Sequence, residues 1–347
     1  MKFDSLSAHS FGGDMFEHFA WLREHDPVHW DEKNELWVLS RYEDVLHVSK
    51  NREIFCSGQG VRPSVPAKIS IIDMDEPRHG ELRRLVNRGF TPRMVNELET
   101  IFRLLTTEAI DRVAGSGACD FVEAIAVPMP LELIAEMIGI EKKDRHAFKQ
   151  WSDAMIRADG HMHEPDVIAA AGRAFQEYAA YLSAVFADRR AHPRDDLVSI
   201  LLHAREEGAL ARADADPAAA LAADDATAGL AGDELLMFMV LLLVAGNETT
   251  RNAMCGGMSA LIENPDERRK LDRHPELIKS AVEEIVRYVS PVISMARTAT
   301  CDTELRGTPI RAGQKVLMLY PSANRDASVF DEPDRFRIGR ASCRERV

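Results

Sequence analysis

Residues 234–263 read ELLMFMVLLLVAGNETTRNAMCGGMSALIE, and the next two residues, Asn264-Pro265, stop the run. At 1.5 Å per residue, roughly 30 helical residues span about 45 Å, enough to cross a domain. From Leu235 to Ala245 the segment is apolar on every face, which predicts burial on all sides. At its middle stand Gly246, Asn247, Glu248, Thr249 and Thr250. Glycine alone costs about 1 kcal/mol against alanine in a helix, and an acid beside two hydroxyls breaks the local pattern again. Such breaks concentrate at functional sites. Two readings follow. One is a core helix with a packing glycine and threonines bonded back to the preceding turn. The other has Gly246 open the backbone to a flat ligand, with Glu248 and Thr249 handling protons above it.

The chain has 347 residues, 46% hydrophobic and 29% charged, enough to bury a substantial core. The opening Met1-Lys2-Phe3-Asp4 begins no signal peptide, and the longest apolar run is too short to span a bilayer. Five cysteines (Cys56, Cys119, Cys255, Cys301, Cys343) are scattered without a C-x-x-C pair, which favours reduced thiols in a cytoplasm. A net charge of −13 argues against nucleic acid and anionic membrane partners.

Outward from the central run, the pattern predicts a helix from Phe16 to His25 and a hairpin of residues 27–30 with 36–39. A helix from Tyr42 follows, with Ser40 available as its cap. Gly58 to Pro66 is a Gly/Pro loop suited to binding residues. Asp75-Glu76-Pro77 starts a helix that places His79 and Arg83 on one face, either a surface pair or a cationic clamp for a ligand carboxylate. Helices are expected over 131–138 (ended by Gly139), 142–158, 167–192 and 195–205, and a flexible Ala/Asp-rich connector over 208–232. A helix over 275–289 carries Glu284 and Arg287 one turn apart, with Ile278, Ala281, Val282 and Ile285 directed to the core. Short β-like runs alternate at residues 297–300, 303–305 and 315–319, with Gly307, Pro309 and Gly313 in the turns.

Each motif is weak alone, but the order H-x-x-x-R, A-G-N-E-T-T, E-x-x-R, Arg297 in a strand, Ala323-Asn-Arg-Asp326 and Phe330-Asp-Glu-Pro-Asp-Arg-Phe336 is specific. In it the sequence resembles the cytochrome P450 superfamily of haem-thiolate monooxygenases, in its soluble bacterial form. The implied fold is mainly α with small β-sheets around a long central helix. Implied too are haem (Fe protoporphyrin IX), O2, an apolar small-molecule substrate (sterol, terpenoid or fatty-acid-like) and a ferredoxin-type electron donor. By the same resemblance His79, Arg83 and Arg297 meet the haem propionates, Ala245 and Gly246 lie against the porphyrin, and Glu248 and Thr249 form the acid–alcohol pair that delivers protons. Glu284 and Arg287 form the buried ion pair behind the haem, with Arg325 as its third partner. The segment 58–72 corresponds to the variable substrate loop. Gly60-Val-Arg-Pro63, Asp73-Met-Asp75 and Leu85-Val-Asn87 resemble the branch that oxidises sterol side chains.

One departure stands out. The family's glycine-rich loop bearing the cysteine ligand follows the F-x-x-P-x-x-F segment, and Cys343 in Ala341-Ser-Cys-Arg-Glu-Arg346 has no such flanks. The expectation is one domain over 1–337, truncated before that loop and inactive by itself, with 338–347 (IGRASCRERV) resembling a translated library adapter. Two other classes compete. A di-iron carboxylate protein would use Glu76-Pro-Arg-His79 but needs a second E-x-x-H, which is not found. A non-catalytic helical ligand-binding protein leaves Glu248-Thr249 at the centre of a buried helix unexplained.

Overall fold

A computed structural model describes residues 3–13, 15–63, 70–90, 92–158, 161, 164–206 and 232–340. The connector (except Gly232), part of the 58–72 loop and Cys343 lie outside them. The helices are α1 (Met15–His25), α2 (Tyr42–Lys50), α3 (Arg78–Gly89), α4 (Pro92–Ala114), α5 (Pro128–Ile138), α6 (Arg145–Ala158), α7 (Pro165–Ala191), α8 (Leu197–Glu206), α9 (Gly232–Glu263), α10 (Pro265–Arg273), α11 (Ile278–Val289) and α12 (Tyr320–Ala323). The strands are β1 (Val28–Asp31), β2 (Leu36–Leu39), β3 (Phe55–Cys56), β4 (Ser294–Ala299), β5 (Thr303–Leu305), β6 (Thr308–Ile310) and β7 (Lys315–Leu319). The expected fold class, mainly helical with small sheets, is what the chain adopts.

Two compact units divide the chain: Met1–Lys68 with Ile72–Asp75 and Asn252–Val347, and Ile69–Ile71 with Glu76–Arg251. The boundary falls inside α9, between Arg251 and Asn252. The first unit contains a five-stranded sheet in the order β1-β2-β7-β4-β3, with β2 and β7 parallel and the other pairs antiparallel. Its central strand β7 is Lys-Val-Leu-Met-Leu, and Val316 to Leu319 are fully buried, as a strand covered on both faces requires. One side packs on Val45, Phe55 and Phe330, the other on Phe3, Phe19 and Leu22.

In the second unit the helices carry the core. Tyr178 of α7 is fully buried, packs on Phe148 of α6, and donates its hydroxyl to the Met239 carbonyl of α9 at 3.4 Å. Gly139 ends α5 in the left-handed region (φ 79°), the cap its sequence predicts. Arg189 Nε binds Asp196 at 2.5 Å, and Asp196 in turn accepts the Ser199 amide at the start of α8.

Several local expectations differ in the structure. Arg41 rather than Ser40 precedes α2, and the Ser40 hydroxyl turns to the Pro27 carbonyl at 3.4 Å. Pro77 caps α3, so that helix begins at Arg78, three residues beyond Asp75. On α11, Ile278 and Val282 are exposed, while the buried positions are Ala281, Glu284 and Arg287. The helix therefore turns its ion pair inward and leaves two aliphatic side chains outside.

Candidate active site

The middle of α9 departs from all-round burial in one informative way. Leu241 and Leu243 are buried, but Leu242 and Val244 are half-buried and Ala245 is exposed. Positions 242, 245 and 249 fall on one helical face. That strip, apolar except for a hydroxyl, is open at Ala245 and half-buried at Leu242 and Thr249. Thr249 Oγ1 donates to the Ala245 carbonyl one turn back at 2.6 Å, which keeps the hydroxyl on this face with its oxygen still able to accept. Glu248, next to it, lies 3.8 Å from Arg251 Nη2, and its side chain is 34% exposed, so the acid is in reach of solvent.

Gly246 faces elsewhere. A Cβ on it would sit 3.1 Å from Ile134 Cδ1 of α5, so the missing side chain admits a neighbouring helix rather than a flat ligand. The exposed position beside it is Ala245. Gly246→Val is therefore expected to lower stability by about 1–3 kcal/mol through overpacking, readable as a lower urea midpoint. A variant as stable as the parent would refute that packing role. Asn247 is 1% exposed and donates Nδ2 to Ser152 Oγ of α6 at 2.9 Å, fixing the rotation of α9 about its axis. The sequence reading passed over Asn247, whose partner lies 95 residues away.

The candidate cations are split between the units. On α3, His79 Nδ1 lies 3.2 Å from Glu76 Oε1, and Arg83 is exposed one turn on. On β4, Arg297 is half-buried and donates Nη1 to the Ala296 carbonyl at 2.9 Å. A strand residue hydrogen-bonded to its own backbone retains donors for a ligand.

Glu284 and Arg287 are both fully buried and paired twice, Nε to Oε2 and Nη2 to Oε1, each at 2.8 Å. Arg287 Nη1 also donates to the carbonyls of Asn324 (2.7 Å) and Pro333 (2.8 Å), and Nη2 to that of Arg335 (3.2 Å). Glu284 Oε1 accepts the Arg337 amide at 2.8 Å. A buried pair needs such complete satisfaction to be tolerated. The expected third partner, Arg325, lies elsewhere: it donates to the Tyr288 carbonyl at 3.0 Å and is stacked on Phe16, 3.7 Å from the ring centroid. Burial, then the neighbouring Arg287, push its guanidinium down to about 10. The cation beside Glu284 is instead Arg340, with Nε at 3.4 Å. Ile338 is buried against Ala260, Ala281 and Phe336.

Comparison with known proteins decides the family. A family model for cytochrome P450 matches residues 273–342. The steroid C26-monooxygenase of Mycobacterium tuberculosis is 37% identical over 323 residues, 93% of this chain and 76% of that protein. The chain belongs to the cytochrome P450 family. The methyl-branched lipid omega-hydroxylase of Mycobacterium bovis is 35% identical over 344 residues, covering 93% of this P450 and 75% of its relative. Among solved structures, CYP109E1 from Bacillus megaterium in complex with testosterone superposes with a TM-score of 0.80 at 30% identity, over 94% of this chain and 81% of that one.

Members of the family bind haem, so the residues of this P450 can be tested against it. A porphyrin requires an uncovered apolar face and cations for its propionates; one unit offers Ala245 and Arg83, and the other, taken by itself, offers Arg297. The axial thiolate is a different matter. Cys119 and Cys301 are exposed and Cys255 is half-buried, and none stands in a glycine-rich loop. Burial and the adjacent Asp75 push the Cys56 thiol up, away from a thiolate. Among the described residues no group of three or more His, Cys, Asp or Glu converges as metal ligands would, so Glu76 and His79 build no di-iron centre there. No described helix is long and apolar enough to cross a membrane.

Proposed function

We propose that this P450 hydroxylates an unactivated C–H bond of a sterol- or branched-lipid-like molecule, taking two electrons from a ferredoxin-type donor. The observation that carries the reading is the 37% identity to a steroid C26-monooxygenase along 93% of the chain. The testosterone-bound neighbour supports an apolar polycyclic body, and the lipid omega-hydroxylase relative supports a terminal alkyl group.

Bound haem supplies dioxygen activation: one oxygen atom enters the C–H bond, the other leaves as water, and two electrons and two protons are consumed. His79, Arg83 and Arg297 would hold the propionates, and Ala245 would meet the porphyrin face. Thr249, its hydroxyl proton given to the Ala245 carbonyl, would accept a hydrogen bond through Oγ1, the bond fixing where that oxygen sits. Glu248, partly exposed and steadied by Arg251, takes protons from water and passes them inward. None of the described cysteines is assigned as the axial ligand.

Two measurements test this. Protein from the gene's complete reading frame, loaded with haem, is expected to shift its Soret band on adding a sterol with an alkyl side chain. The same nucleus without the side chain should bind at least about tenfold more weakly, since each buried CH2 is worth about 0.8 kcal/mol. Equal affinity for the two would overturn the substrate reading. The 347 residues alone, reduced under carbon monoxide, are expected to lack the long-wavelength band of a thiolate-ligated haem; its presence would show that one of these cysteines does ligate.

A further inference from the structure

Asp73-Met-Asp75 was singled out by the sequence, yet nothing in the proposed chemistry uses it. In the structure its two carboxylates fasten one short stretch of chain. Asp75 Oδ1 accepts the amide of Ser57 at 2.6 Å and Oδ2 that of Gly58 at 2.9 Å. Asp73, 3% exposed, accepts the Val61 amide at 2.8 Å through Oδ1. Hydrogen bonds of this charge-assisted kind are about twice as strong as neutral ones.

The fastened stretch runs along β4. Before it, β3 pairs Cys56 with Thr298; after it, the Val61 carbonyl accepts the Ala296 amide at 2.7 Å. Residues 57–61 thus bridge from Thr298 to Ala296, bracketing Arg297. Gly60, at φ 94°, donates its amide to the Ser57 carbonyl at 2.9 Å and so closes a local turn within the bridge. Gly58 is needed for another reason: a Cβ there would collide with Asp75 Oδ2.

We infer that Asp73 and Asp75 are positioning residues, a two-carboxylate clamp that sets the backbone of Arg297 and the start of the 58–72 loop, and so tunes cofactor and substrate binding. The binding part rests on the function proposed above; the clamp does not. Neither carboxylate is asked to touch substrate or haem. Their contribution passes through the backbone of 57–61.

Amide hydrogen exchange on Asp73→Asn, Asp75→Asn and Gly58→Ala separates the possibilities. Asp73→Asn is expected to speed exchange at Val61 and Ala296 at least about tenfold. Asp75→Asn and Gly58→Ala should do the same at Ser57 and Gly58, while α9 stays at its parental rate. In haem-loaded protein the same variants should raise the substrate Kd, read from the Soret shift, about tenfold with turnover at saturation within about threefold. Unchanged exchange at these amides would overturn the clamp, as would exchange that rises throughout α9, which marks general destabilisation. Faster loop exchange with parental haem uptake and substrate Kd would overturn the positioning role. If the parent takes up no haem, the proposed function falls, and the exchange rates still decide the clamp.

Discussion

Arg287→Ala is expected to lower the stability of the chain by about 3–5 kcal/mol, the largest single-residue effect in the structure. The side chain is fully buried, so truncation takes from the Glu284 carboxylate its two-point partner and leaves it only Arg340 Nε, 3.4 Å away, and the Arg337 amide. It also strips the carbonyls of Asn324, Pro333 and Arg335 of a donor. Native stability is typically about 5–15 kcal/mol in total, so the variant should unfold at a much lower urea concentration, or accumulate insoluble. Removing both charges together, Glu284→Gln with Arg287→Met, should cost less than the single change, because the Glu284 charge is removed along with its main partner. A single variant within about 1 kcal/mol of the parent, or a double variant worse than the single, would contradict this.

Glu248→Gln is expected to lower product formation at least about a hundredfold in the haem-loaded enzyme, the lower end of what a positioned proton donor contributes. Glutamine keeps the shape and can still reach Arg251, so folding and substrate affinity should hold. The Soret shift on substrate binding is the control: it should keep its parental Kd while turnover falls. Turnover within about threefold of the parent would remove Glu248 from proton delivery. The side chain's 34% exposure makes the water-facing half of that role sterically open.

The central helix was legible because an eleven-residue apolar run cannot be much else, and its interruption by Gly246 to Thr250 marked the site. The ion pair was legible as Glu and Arg at i and i+3, but its surroundings were not. Its partners are backbone carbonyls and amides 37 to 53 residues on, which carry no side-chain signature. The same blindness explains Arg325. Nothing in Ala323-Asn-Arg-Asp326 says that the guanidinium will stack on Phe16, some three hundred residues earlier in the chain. On α11 the pattern offered Ile278, Ala281, Val282 and Ile285 as one apolar stripe, whereas tertiary packing selected the Ala281, Glu284 and Arg287 face. The strand β3 was missed because two residues are too few to show alternation, and β6 because Gly307 and Pro309 read as turn residues. Gly246 was assigned to the porphyrin face by the resemblance, whereas the structure sets Ile134 against it, a neighbour 112 positions away that no local pattern names.

One face of α9, the strip exposed at Ala245, carries the proposed cofactor site. Ala245 is exposed, so Ala245→Trp should leave folding intact and place an indole where the porphyrin is assigned. A haem titration of parent and variant, followed at the Soret band, is the direct measurement. The expected result is one equivalent bound by the parent and uptake lost in a variant that unfolds at the parental urea concentration; a folded Ala245→Trp protein that takes up haem as the parent does would contradict it.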